Sequence, residues 1–242
     1  MWWLETIVRC FNPGAINSLK GTASDLILVK LCGAHLYNRQ QRIICRRFFW
    51  LPLCIMKSKS TVRQKCLENR NIAFNKKGND CLKKKDINLI ISEIKSKFKI
   101  SSIAIYYPIK SEISPLKLIK ICEKLSIKIC LPVICKNTNK LIFSKFDSEK
   151  SLTKNKYGIF EPTKINQSIP DIVFVPMLGF DKNLNRIGYG KGYYDKTISK
   201  LRNLKKIFVI GLAYDNQMVK CIPIENHDEK MDLIITDKKI YR

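Results

Sequence analysis

Histidine is almost missing from this chain: only His35 and His227 occur in 242 residues, and they stand far apart. A histidine-rich metal site or a Ser/His/Asp hydrolase has little material to draw on. Acidic residues are scarce as well, 20 against 45 Lys and Arg, which leaves a formal charge of +25. That balance suits a nucleic-acid binder. The cations are mostly lysines spread along the chain, however, with no arginine-rich helix, so nucleic acid is not the expected partner. Closely spaced cysteine pairs are also missing. The ten cysteines, at 10, 32, 45, 54, 66, 81, 122, 130, 135 and 221, form no CxxC motif, and no cleavable secretory signal is recognisable. This argues against a disulfide framework or a zinc cluster and for a reducing, cytoplasmic setting. Most of the cysteines read as small apolar fillers. Long apolar runs are absent too. "LILVKLCGAHLY" is interrupted by Lys30 and "FFWLPLCIM" is nine residues, against roughly 20 for a membrane-spanning helix. No transmembrane segment is expected.

What is present is ordinary globular material, 45% hydrophobic and 27% charged, enough for one domain with a sizeable core and room for an extra segment. Composition changes near Met56: residues 1–55 hold five Arg and two Lys, and residues 56–242 five Arg and 33 Lys. Three readings stand for residues 1–55: an upstream extension with the working start at Met56, an Arg-rich targeting presequence, or an added helix or membrane-surface element. No chemistry is assigned to them. The domain is expected over 56–242, as a monomer or weak dimer.

Within that domain, Val62, Cys66, Leu67 and Ile72 to Phe74 fall near helical spacing, and "INLIISEIKSKF" repeats the pattern with Ile87, Ile90, Ile91, Ile94 and Phe98. "ISSIAIYYP" predicts a buried strand ended by Pro108. "SPLKLIKICEKL" predicts a helix with Ser114 as N-cap and Pro115 at its first position. Strands follow at "IKICLPVI", "KLIFSKF" and "DIVFVPMLGFD", then a helix at "YYDKTISKLRNL" and strands at "KIFVIGLAYD" and, finally, "MDLIITD". The alternation predicts an α/β domain: a largely parallel central sheet with helices on both faces, a Rossmann-like three-layer architecture.

Ligands of such sheets gather outside the carboxyl ends of the strands. Three polar stretches lie there: "YYPIKSE", "GFDKNLNRIGYGKGYYD" and "IPIENHDEKMD". In the second, Gly188, Gly190 and Gly192 bare the backbone between a strand and a helix, flanked by Arg186 and Lys191. Main-chain amides at a helix start plus two cations favour phosphate. The spacing is neither the dinucleotide fingerprint, which needs Gly at 193, nor a Walker A loop, which needs Ser or Thr at 192. A plain glycine-rich turn remains the alternative. Asp195 and Asp228 are candidate magnesium ligands, or else a first-turn carboxylate and a solvated loop residue. Lys59 and Arg63, at i and i+4, put two cations on one helix face, which in most helices is simply solvated. Glu112 could bind an amine-bearing ring or serve as surface charge. Tyr106 and Tyr107 could wall such a ring, with one of them in the core. Glu161, in "YGIFEP", reads by itself as part of an extended turn.

Taken together, the motifs "KSTVR", "YYPIKSE", "YGIFEP", "DIVFVPMLGFD", "RIGYGKGYYD" and "IPIENHDEKMDLIITD", with Leu131-Pro132, occur in an order and spacing that resembles the 5-formyltetrahydrofolate cyclo-ligase family, also called 5,10-methenyltetrahydrofolate synthetase. The likeness spans about residues 57–236. It implies ATP-dependent, Mg-requiring cyclisation of 5-formyltetrahydrofolate to 5,10-methenyltetrahydrofolate with release of ADP and phosphate. The γ-phosphoryl would go to the formyl oxygen, and folate N10 would attack before phosphate leaves. Carried over by position, the resemblance implies ATP contacts from Lys59, Ser60, Thr61, Val62 and Arg63. The segment Arg186, Ile187, Gly188, Tyr189, Gly190, Lys191, Gly192, Tyr193 and Tyr194 would wrap the nucleotide phosphates. Tyr107 and Glu112 would border the pterin, with Tyr189 to Tyr193 at the reacting formyl group, and Arg186, Lys191 and Tyr193 would act in catalysis. Asp195 and Asp228 would hold Mg2+.

The chain departs from the family pattern at Leu184, where glycine is usual, so Asn183 or Asn185 is expected to take the left-handed conformation. Two other functions stay open at this point: a basic nucleic-acid binder, and a catalytically silent folate-binding relative.

Overall fold

The computed structural model describes residues 58–242 other than 136, 137, 139, 149 and 150; the 1–55 segment, with four of the cysteines and His35, lies outside the described residues. Helix α1 (Lys59–Lys77) starts where the Ser58 side chain accepts the Thr61 N–H, and stops at Gly78, whose φ of 68° suits glycine. Its buried face is Val62, Cys66, Arg70 and Ala73. The apolar pattern placed Ile72 inward, yet Ile72 is exposed and Arg70 is buried in its stead. Helix α2 (Lys84–Lys97) buries Ile87, Ile90, Ile91 and Ile94 as the spacing predicts. Helix α3 (Lys117–Lys124) begins two residues later than expected: Ser114 Oγ does accept the Leu116 N–H, but Pro115 and Leu116 form a turn that precedes the helix. Helix α4 (Tyr193–Leu204) matches the predicted segment.

Eleven strands are described: β1 (Ser102–Ala104), β2 (Lys128–Ile134), β3 (Leu141–Lys145), β4 (Leu152–Lys154), β5 (Phe160–Pro162), β6 (Ile172–Pro176), β7 (Gly179–Phe180), β8 (Arg186–Ile187), β9 (Phe208–Ala213), β10 (Leu233–Thr236) and β11 (Ile240–Tyr241). Seven form one sheet in the order β11-β10-β9-β6-β1-β2-β3. The five inner strands run parallel, and β3 and β11 close the two edges antiparallel. Strands β4–β5 and β7–β8 are separate hairpins. The "YGIFEP" stretch begins in the hairpin turn and ends in the paired strand β5, which carries Glu161, and "MDLIITD" is followed by one more strand.

Side-chain alternation along the inner strands fills both faces. Ile103, Ile172, Phe174, Ile210 and Leu212 pack with the isoleucines of α2 and with Leu118 and Ile121 of α3. Their neighbours Ala104, Val173, Val175 and Val209 pack with Ile198 and Leu201 of α4 on the opposite face. Double-sided burial explains why β6 reads as a continuous apolar run. The sheet with its two helix layers is the three-layer α/β architecture expected. Strand order reverses at β1, because α3 carries the chain from β1 to β2 on one side while β6, β9 and β10 build on the other. That reversal opens a crevice at the carboxyl ends of β1 and β6.

Helix α1 lies mostly off the sheet, with Val62 and Cys66 against Leu178, Ile187 and Ile222 around the β7–β8 hairpin. The hairpin turn is organised by buried Asp181, which accepts the Asn183 and Asn185 N–H groups, the Asn185 side-chain amide and the Ile222 N–H. Leu184 itself takes the left-handed conformation, with φ of 64°, where Asn183 or Asn185 was expected to. Such a residue costs roughly 1–2 kcal/mol; Leu184 offsets it by packing against the α4-side core and by accepting the Met231 N–H. Cys66, Cys81, Cys122 and Cys130 are free thiols, and burial pushes Cys66 up to about 11, which fits an apolar filler.

Gly179 at the hairpin base lets α1 approach, since a β-carbon there would overlap the Cys66 sulfur and crowd the Gln217 carbonyl. Gly179→Ala is expected to destabilise the protein by about 1–3 kcal/mol in urea unfolding, by prising α1 from the hairpin. An unchanged midpoint would show that this approach is not tight.

Candidate active site

A cleft of about 590 Å³ opens at the strand-order reversal, within the usual range of ligand sites. One wall is the loop between β8 and α4. Gly190 and Gly192 adopt φ of 92° and 67°, and Gly192 is the N-cap of α4 with no side-chain capping bond. No side chain thus caps the helix's first N–H groups at the cleft. A β-carbon on Gly190 would lie 3.1 Å from the Arg63 guanidinium, so glycine lets the loop rest on that cation. Arg63 Nε donates to the Gly188 carbonyl at 3.1 Å, tying α1 to the loop.

The loop's own charges are fixed at its base. Arg186 Nη2 donates to Asp195 Oδ1 at 2.8 Å, and the Glu229 N–H reaches the same oxygen at 3.3 Å. Buried Arg186 Nε finds no protein partner, a state that costs free energy unless something supplies an acceptor. Asp195 does lie in the first turn of α4, so its helix-dipole placement and its position on the cleft coexist. Lys191 is exposed, with Nζ 4.3 Å from the centre of the Tyr157 ring. The Tyr193 hydroxyl first, then Lys156 and Lys191, lower the Tyr157 phenol, whereas Tyr193 is raised by desolvation and by Tyr157. The β4–β5 hairpin that carries Tyr157 is braced by Asn155, whose amide donates to Glu161 at 3.1 Å.

Lys59 projects from the start of α1 into the third stretch, 2.7 Å from Asp228 Oδ2 and 3.2 Å from Glu225 Oε1. Burial works to raise Asp228, but Lys59 and the Glu225 N–H outweigh it and hold the carboxylate below its ordinary value. Glu225, His227 and Asp228 offer ligand atoms within 4.8 Å of one another, next to Lys59. Lys59 and Arg63 therefore line the cleft and are not simply a solvated helix face.

Opposite the glycine loop, Tyr107 borders the cleft, its ring 4.7 Å from that of Phe160, while Tyr106 is the core tyrosine and donates to the Ile113 carbonyl. Glu112 is buried, not surface charge. Desolvation pushes its carboxyl up to about 7 against the opposing Ile109 N–H, Arg70 and Lys110. Arg70 faces it with Nη1 at 3.8 Å.

The structure brings to this one cleft Lys59, Arg63, Tyr107, Glu112, the loop from Arg186 to Tyr194, Asp195 and Asp228. It does not bring Ser60, Thr61 and Val62: the first two are exposed on α1 beside Ser58, and Val62 is buried against the hairpin. Sequence reasoning missed Tyr157, Glu225 and His227 on the cleft and Arg70 behind it. Arg70 carried a signal, since it falls two helical turns beyond Arg63 on the same face.

A family model described as the 5-formyltetrahydrofolate cyclo-ligase family matches residues 55–237. The chain belongs to this family. Among its cyclo-ligase relatives, the 5-formyltetrahydrofolate cyclo-ligase of Haemophilus influenzae is 35% identical over 133 residues, 52% of this chain and 71% of that protein. The Mycoplasma pneumoniae cyclo-ligase is 29% identical over 181 residues, 74% of this chain and 99% of that protein. Two solved 5,10-methenyltetrahydrofolate synthetases share the cyclo-ligase fold. The one from Mycoplasma pneumoniae superposes with a TM-score of 0.55 at 26% identity, covering 75% of this chain and 100% of that chain. The one from Aquifex aeolicus gives 0.56 at 28%, covering 76% and 92%.

Glu112 sets a pH test. Its folded-state value stands above the ordinary 4.5, so the folded protein holds this proton more tightly than the unfolded chain does. The resulting stabilisation is present in full below about 4.5 and is lost as pH rises through about 7, a change on the order of 3 kcal/mol. Glu112→Gln should flatten the stability–pH slope between those values in urea titrations. An unaltered slope would mean that this carboxyl is ordinary.

Proposed function

We propose that this protein catalyses the ATP-dependent cyclisation of 5-formyltetrahydrofolate to 5,10-methenyltetrahydrofolate, releasing ADP and phosphate. The observation that carries the reading is one cleft with a cation-backed glycine loop on one side and a buried carboxylate, Glu112, on the other; membership of the cyclo-ligase family supports it.

The residues suit a triphosphate. The bare amide N–H groups of Gly188 to Gly192 and the start of α4 can donate to anionic oxygens, Lys191, Arg63 and Lys59 neutralise those oxygens, and Arg186 Nε is a buried donor in want of an acceptor. Asp195 and Asp228 are hard oxygen donors on the same cleft and would hold Mg2+. The ion, when bound, neutralises phosphate charge. Because Lys59 already occupies Asp228, metal binding there must shift or share that contact.

On the other wall, Tyr107 stacks along the pterin, and Glu112 in its ionised form accepts from the ring's amino and ring N–H groups. In the reaction the γ-phosphoryl passes from ATP to the formyl oxygen, leaving ADP; N10 then bonds to the formyl carbon, and that oxygen departs as phosphate, which takes up the N10 proton. The protein needs no covalent nucleophile for this. Arg186 and Lys191 hold the transferred group in line, Tyr193 closes the loop side, and the apolar wall excludes water. The protein is taken to act in the cytoplasm as a monomer or weak dimer, and no described helix is long and apolar enough to cross a membrane.

Purified protein given ATP, Mg2+ and 5-formyltetrahydrofolate should produce the methenyl product, read by absorbance. Lys191→Ala and Asp195→Ala should each reduce turnover at least a hundredfold, about 2.7 kcal/mol of transition-state stabilisation; Lys191→Ala should leave the unfolding temperature nearly unchanged, whereas Asp195→Ala, which unpairs the buried Arg186, should also lower it. Folate binding without turnover would point to a silent relative, and neither binding nor turnover would end the reading. A protein beginning at Met56 should keep full activity; failure to fold would place residues 1–55 within the domain.

A further inference from the structure

Arg70 is buried to 1% exposure in the middle of α1, where a residue serving stability alone would be apolar. Removing a guanidinium from water costs several kcal/mol unless its donors are met, and here Nη1 is left with no hydrogen-bond partner. Its remaining donors reach two other segments, both more than 40 residues away in sequence. Nε donates to Ser111 Oγ at 3.1 Å, beside Glu112, and Nη2 donates to the hydroxyl of Tyr189 in the glycine loop. The guanidinium carbon also sits 5.4 Å from the centre of the Tyr189 ring. Ser111 in turn donates to Asn71 Oδ1, which fixes its lone pairs toward Arg70.

These bonds have a direction. Tyr189 Oη accepts from Arg70, so its own proton is left for an acceptor in the cleft, which Tyr189 lines with nearly half of its surface exposed. Nη1 at 3.8 Å from Glu112 Oε1 favours the opposite polarity there, a carboxylate that accepts. Around Glu112 the other groups are Lys110 on its own loop, Tyr106 after β1 and Tyr194 on α4, and neither tyrosine carries charge.

We propose that Arg70 is a positioning residue for the folate side of the cleft: it holds Tyr189 as a hydrogen-bond donor and Glu112 as an acceptor without itself touching substrate. This rests on the cyclo-ligase reading above. The unaltered protein distinguishes the two, because absence of methenyl product there sinks that reading before Arg70 is at issue.

The test is a double-mutant cycle on kcat and KM for 5-formyltetrahydrofolate, with Arg70→Met, Tyr189→Phe and the pair. Arg70→Met should raise the folate KM roughly tenfold while the KM for ATP moves less than threefold. If Arg70 acts through Tyr189, the double variant should lose no more than Arg70→Met alone. Multiplying losses, or a folate KM that Arg70→Met leaves unchanged, would overturn the proposal. Should Arg70→Met fail to fold, Arg70→Lys replaces it in the same cycle: the ammonium keeps the charge but not the fork, and the same criteria decide.

Discussion

The cleft depends on one long-range constraint: a helix from the start of the described chain must lie along a glycine loop more than a hundred residues later. Three contacts hold it there. Val62 and Cys66 pack on the β7–β8 hairpin, Arg63 donates to the Gly188 carbonyl, and Arg70 donates to Tyr189. Through α1, Arg63 is held directly against the backbone of the glycine loop. Lys59 extends the same helix face to Asp228, so one amphipathic element supplies charge to three separate polar stretches.

The sheet determines where those stretches meet. Reversal of strand order at β1 leaves the segments after β1 and β6 without a connection crossing between them, and the cleft-lining residues of both lie at that gap. Burial then differentiates the groups. Glu112 sits deep enough for desolvation to dominate its titration, whereas Asp228 lies near enough to Lys59 to be held ionised. The proton affinities of two carboxylates in one cleft are thus shifted in opposite directions, Glu112 upward by burial and Asp228 downward by Lys59.

Much of this was legible in the sequence because it is local. Burial on both faces made the inner strands visible as continuous apolar, β-branched runs, and the isoleucine spacing of α2 and the glycine start of α4 marked helices directly. What stayed hidden was set by tertiary contact. Strands β7, β8 and β11 are two residues each, and β4 and β5 three, too short for a periodic signal. Leu184 adopts a left-handed turn because Asp181 gathers the backbone donors around it, which residue preference alone would assign to a neighbouring asparagine. Arg70 points inward and Ile72 outward, against their hydropathy, because the buried partners of Arg70 lie on other segments. The motif resemblance named the loop and acid positions, but it could not tell which of residues 59–63 face the cleft; the helix phase does, turning Lys59 and Arg63 in and Ser60 and Thr61 out.

The central claim is that α1 and the glycine loop form one nucleotide site. Amide chemical shifts recorded while a non-hydrolysable ATP analogue is titrated with Mg2+ test it most directly. The largest changes should fall together at residues 186–195 and at Lys59 and Arg63 on α1, all saturating with a single affinity. Shifts confined to other surfaces, with the glycine loop and α1 unmoved, would contradict it.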